Sequence, residues 1–167
     1  MGNQQTSQVD ERKRISTIWL RNKKLWFNSN GKTDEKVKIL FDSVKNFDFE
    51  PIAENAKDSI DKVIFCDQIA RHIYRNDKKQ IDYYHGLAVI ESKKGLVKNY
   101  DLNLNAVERC FYLLPLRHTF DPEEILFCIN KAFNYLETDN NKIYLNFIKA
   151  SLKSFRKYYD KWHQFDQ

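Results

Sequence analysis

The sequence predicts an all-α fold of about seven antiparallel helices, and three observations lead there. Apolar residues recur at three- and four-residue steps in one segment after another. No segment sustains two-residue alternation, and no Asn-Gly or Asp-Gly pair lies between two alternating runs. Short polar stretches separate the periodic segments, as they do between neighbouring helices of a bundle. The 167 residues, 42% apolar and 31% charged with only four glycines and three prolines, suffice for one core-forming domain, expected over residues 10–167.

Residues 1–9, MGNQQTSQV, are polar and aperiodic and are expected to be a disordered tail. They contain Met-Gly-x-x-x-Thr, which makes Gly2 a candidate for N-myristoylation with Thr6 in the preferred place. One acyl chain holds a membrane only marginally, and the basic run Glu11 to Arg14 with Arg21, Lys23 and Lys24 offers a second signal. The first helix is predicted from Asp10, with Ile15, Ile18, Trp19, Leu25 and Trp26 on its apolar side and Gly31 as its left-handed cap. A second carries Val37, Leu40, Phe41 and Val44, capped by Thr33 or Asp34, and ends before Pro51.

Asp58 or Ser59 is expected to cap a third helix that runs to Tyr74 or Arg75. A fourth spans about Gln80 to Lys94 and stops at Gly95. Asn105 caps a fifth, which Pro115 ends. Pro122 opens a sixth, with Glu123 and Glu124 favourable at its amino end. A seventh holds Ile143, Phe147, Ile148 and Phe155 and continues towards the carboxy terminus.

Cys66, Cys110 and Cys128 are odd in number, lack C-x-x-C spacing and lie in apolar runs, so reduced core thiols are expected and no metal site. No apolar run approaches the roughly 20 residues that span a bilayer. The amino terminus lacks the apolar core of a secretory signal, which predicts a cytoplasmic location. The net charge of +5 favours acidic partners without naming one. Basic residues are distributed and aromatics sit at core spacings, which argues against nucleic acid.

The stretch VIFCDQIARHIYRND, Val63 to Asp77, sets a polar ladder directly behind an apolar run. On a helix Asp67, Arg71 and Arg75 share one stripe at four-residue steps. A charged ladder that begins where an apolar stripe ends is expected to enter a cleft. A second polar cluster, Arg117, His118, Asp121, Glu123 and Glu124, follows the fifth helix at a junction where pockets form between bundle helices.

IWLRNKKLWF, IFCDQIARHIYRND and ERCFYLLPLRHT together resemble a widespread bacterial family, domain-of-unknown-function family 924, in order and spacing. The resemblance implies an all-α fold similar to tetratricopeptide repeats over nearly everything after the tail. Onto its motifs fall Trp26 and Phe27; Asp67, Gln68, Arg71 and Arg75; Arg109, Phe111, Pro115, Leu116 and His118. Ala70 stands where the family has proline, His72 where it has asparagine, and Thr119-Phe120 where it has Ser-Glu. The usual closing Arg-Phe-Gly-Arg-Phe-Pro-His-Arg-Asn is replaced by SFRKYYDKWHQ.

Two functions are open from the sequence. The first is a non-catalytic helical module that binds a protein or a small anionic ligand through Asp67, Gln68, Arg71, Arg75, Arg109 and His118, with no cofactor. Paired guanidiniums recognise phosphate or carboxylate bidentately. The second is a hydrolase-like enzyme in which Asp67 orients His118 as general acid or base and an arginine stabilises negative charge. No Gly-rich phosphate loop, H-E-x-x-H or G-x-S-x-G accompanies these residues.

Overall fold

A computed structural model describes residues 13–28, 30–44 and 46–164; the tail with Gly2 lies outside them. The described residues contain helices and no strand. In chain order the helices are α1 (Ile15–Arg21), α2 (Gly31–Leu40), α3 (Ala56–Ile64), α4 (Ala70–Ile73), α5 (Lys78–Val97), α6 (Ala106–Arg117), α7 (Pro122–Asp139) and α8 (Lys142–His163). A π-helical turn, Phe65–Ile69, joins α3 to α4 without a break. The described residues therefore fold as a seven-rod helical bundle.

Asparagine and aspartate set most of the amino ends. The side chains of Asn30, Asn55, Asp77, Asn105, Asp121 and Asn141 each accept a hydrogen bond from a backbone N–H in the first turn of the following helix. This satisfies donors the helix cannot satisfy itself. Asn105 and Glu108 form a reciprocal capping box.

Several expected boundaries move: Asn55, and not Asp58 or Ser59, caps α3, and α2 ends at Leu40, short of Val44. Gly31 opens α2 rather than ending the first helix, because Asn30 supplies the cap. Pro115 lies inside α6, which continues to Arg117. Gly95 lies inside α5, where a methyl group in place of its hydrogen would sit 1.7 Å from the Tyr112 hydroxyl oxygen. A close approach of α6, and not a turn, is why glycine occupies that position.

The core gathers Trp19, Val37, Phe41, Ile60, Val63, Ile64, Phe65, Tyr112, Leu113, Leu116, Ile125 and Tyr144. At α2 it is Val37 and the C-cap residue Phe41 that face it, while Leu40 is exposed. On α7 the buried stripe is Ile125, Cys128, Ile129, Ala132 and Tyr135, and Leu126 and Phe133 stay exposed. Among the described residues, no helix is long and apolar enough to cross a membrane.

A polar network crosses this core. Glu91 on α5, fully buried, pairs with Lys62 on α3 at 2.9 Å. It accepts from the Ser59 hydroxyl at 2.7 Å, and Ser59 in turn lies 2.6 Å from the Tyr112 hydroxyl on α6. Lys62 also donates to the carbonyl of Pro51 at 2.9 Å. A buried charge is tolerable only when paired and hydrogen-bonded in this way.

Candidate functional site

The π turn is the local device that builds the site. An i→i+5 turn inserts one residue into a helix and swings the side chains within it away from the α-helical stripe. All five residues from Phe65 to Ile69 are buried. Asp67 is only 1% exposed, held inside the protein beside Gln68. Arg71 follows on α4, and His118 arrives from the carboxy end of α6 as its C-cap residue.

These groups converge. The His118 Nδ1 lies 3.1 and 3.0 Å from the two carboxylate oxygens of Asp67. Arg71 donates through Nε to the Asp67 carbonyl at 2.7 Å, and its Nη2 reaches the carboxylate at 3.4 Å. The Gln68 amide donates to the same carboxylate. An ionised carboxylate only accepts, so the Nδ1 of His118 carries the proton. Arg71 Nη2, 3.5 Å from that nitrogen, is therefore a neighbour and not its donor. Burial alone would raise the Asp67 carboxyl, but His118, Arg71 and Gln68 outweigh it and hold the group down at about 2.

A second trio repeats the arrangement one helical turn on. His72 Nδ1 lies 2.8 Å from Oδ1 of Asp34 on α2. Arg75 grips the same carboxylate with both Nε and Nη2, the latter at 2.6 Å. The Arg75 hydrogen bond keeps the Asp34 carboxyl below the ordinary carboxylate value against the cost of burial, with His72 assisting. His72 is fixed from behind by the Trp19 ring, 5.9 Å away between centroids.

Both trios open on one cleft of about 380 Å³ whose walls include Gln68, Arg71, His72, Arg75, Arg117 and His118. Its two carboxylates lie deep, with side-chain exposures of 1% for Asp67 and 10% for Asp34; the Arg71 and Arg75 side chains are 38% and 35% exposed. Arg117 differs from the other arginines. Burial pulls its guanidinium below the ordinary value, and among the described residues no carboxylate pairs with it. Its neighbour is the face of Phe147, 5.1 Å from the ring centre. Three guanidiniums and two imidazoles thus line the cleft, and the two carboxylates lie behind them.

The structure brings together Asp67, Gln68, Arg71, Arg75 and His118. Arg109 does not join them. It donates to the carbonyls of Asp101 at 2.9 Å and Leu102 at 3.3 Å, lies 3.3 Å from the Tyr144 hydroxyl, and stacks on Tyr135. It faces away from the cleft and pins the loop before α6 to α7 and α8. Asp34 and His72 belong with the cleft, although they stood outside the expected site; Arg117, expected only as part of the polar cluster after the fifth helix, joins its wall. Asp34 is expected as a helix cap, but Asn30 takes that place and frees its carboxylate. The available signal was the polar pair His72 and Arg75, three apart, needing a partner from another helix.

Fold and site together define an all-α bundle with a cation-lined interhelical cleft. The chain belongs to the family described as "Bacterial protein of unknown function (DUF924)", which matches residues 15–166. No curated protein and no solved structure matches the chain.

Proposed function

We propose that this protein is a non-catalytic helical module that binds a small anionic ligand, of the phosphate or carboxylate class, in the cleft between α4 and α6. One observation carries the reading: three guanidiniums line the walls, and both carboxylates are withdrawn behind the cations they orient. Such a surface is pre-organised for an anion, because the guanidiniums are held in place before it arrives. The likeness to tetratricopeptide repeats and a cytoplasmic location with an acylated Gly2 belong to the same proposal. An intact-mass measurement on protein from its native host tests the acylation.

The binding test is a melting-temperature titration with inorganic phosphate. A ligand that binds only the folded state raises stability in step with its saturation. The wild type is expected to gain several degrees at millimolar phosphate, and Arg71→Ala to gain none. A flat titration in the wild type overturns the reading.

A second reading rests on the Asp67–His118 pair itself. A carboxylate fixed on Nδ1 leaves the other ring nitrogen of His118 as a proton acceptor or donor, the arrangement general acid–base catalysis uses. Phosphoester hydrolysis abolished by His118→Ala, in a protein that still melts normally, would support it. Hydrolysis that is absent, or unchanged by the substitution, removes it.

A further inference from the structure

We infer that the anion this cleft takes carries an apolar tail: an organic phosphate or carboxylate whose head lies among the arginines and whose hydrocarbon part enters the adjoining groove. The inference rests on the anion-binding reading above and deepens it.

A second cleft of about 270 Å³ lies between α6 and α8. Trp26, Phe111, Leu114, Ile143 and Phe147 supply most of its wall. The Trp26 ring meets Phe111 edge-on at 4.9 Å, which holds the aromatic wall upright. Two residues, Phe27 and Arg117, line both this groove and the cationic cleft. The two spaces therefore meet, and together they fall within the roughly 300–1,000 Å³ of small-molecule sites, which are mostly apolar with a few placed polar groups.

The shared residues have the properties such a junction requires. Arg117 turns its apolar face to Phe147 inside the groove, and among the described residues no carboxylate forms an ion pair with it, Asp67 acting on it only at longer range. A half-buried guanidinium without a directly paired anion costs free energy that an incoming anion recovers. Phe27 is 72% exposed and adopts a left-handed backbone, φ 58°, which is unfavourable for a bulky residue. Its ring stands in water beside the one place where both clefts could bury it against a ligand. A purely inorganic anion would use the arginines and leave the groove and this ring unoccupied.

Isothermal titration compares inorganic phosphate, butyl phosphate and octyl phosphate, with octylammonium as a control, all below micelle-forming concentrations. Octyl phosphate is expected to bind more than about tenfold tighter than inorganic phosphate, with butyl phosphate between, as buried methylenes add affinity. Ala150 and Asn146 line the groove from exposed positions on α8. Ala150→Phe, or Asn146→Phe should the first fail to fold, is expected to remove most of the alkyl gain and leave phosphate affinity unchanged. Phosphate binding with no alkyl gain overturns this inference and leaves the anion reading standing. No binding by any phosphate overturns both. A gain undiminished in the folded groove variant, or octylammonium binding as tightly as octyl phosphate, also overturns it.

Discussion

Asp67 shows how one side chain can govern both stability and site geometry. Its carboxyl is held at about 2 against a usual 3.8. Between those values the unfolded chain takes up a proton that the folded protein refuses. The carboxylate's contribution is therefore complete above pH about 4 and is lost as pH falls through about 2, a difference on the order of 2 kcal/mol. Asp34, also held down, acts with the same sign. Asp67→Asn is expected to lower the urea midpoint at pH 7 and to flatten the decline between pH 4 and 2. A variant that keeps the wild-type acid profile would show that the pair with His118 does not stabilise the fold. Burial prevails at the three thiols, pushing Cys110 and Cys128 up to about 12, and Cys66 higher still.

At the scale of the helix, backbone choices place these side chains. The π turn buries all five of its residues, Asp67 and Gln68 among them. The two helical glycines of α5 make a controlled comparison. Gly95 abuts Tyr112, and Gly86 has nothing within 4 Å of the position a methyl group would take. Gly86→Ala is expected to stabilise by about 0.8 kcal/mol through helix propensity alone. Gly95→Ala is expected to destabilise by about 2 kcal/mol or more, because it must displace the Tyr112 hydroxyl from Ser59. Chemical denaturation of the two single variants measures both signs. Asn105→Ala should cost about 1 kcal/mol through loss of the capping box.

Across the whole molecule, Glu91 ties α3, α5 and α6 to the loop before α3, since it also accepts from the backbone of Ala53 at 3.3 Å. Removing it strands Lys62, whose side chain is 6% exposed. Glu91→Ala is therefore expected to cost about 3–5 kcal/mol in urea denaturation. A Glu91→Ala, Lys62→Met double variant should recover part of that loss, because the buried charge goes with its partner. If the double variant is no better than the single, the penalty arises from packing and not from an orphaned charge.

What was legible in the sequence is what depends on near neighbours along the chain. Helical periodicity, the all-α class, the cap at Asn105, Pro122 in the first turn of α7, and the ladder Asp67–Arg71–Arg75 are set within a few residues of each other. The convergence of that ladder with His118 followed from family motif order and from the expectation that bundle junctions form pockets. Only the tertiary structure decided the rest. Asp34 reaches His72 and Arg75 across some forty positions of sequence; Arg109 turns to the Asp101 loop; Gly95 answers to a hydroxyl on another helix. Local spacing determines which side chains share a stripe, but which stripes meet depends on how the rods cross, and that is a property of the assembled core.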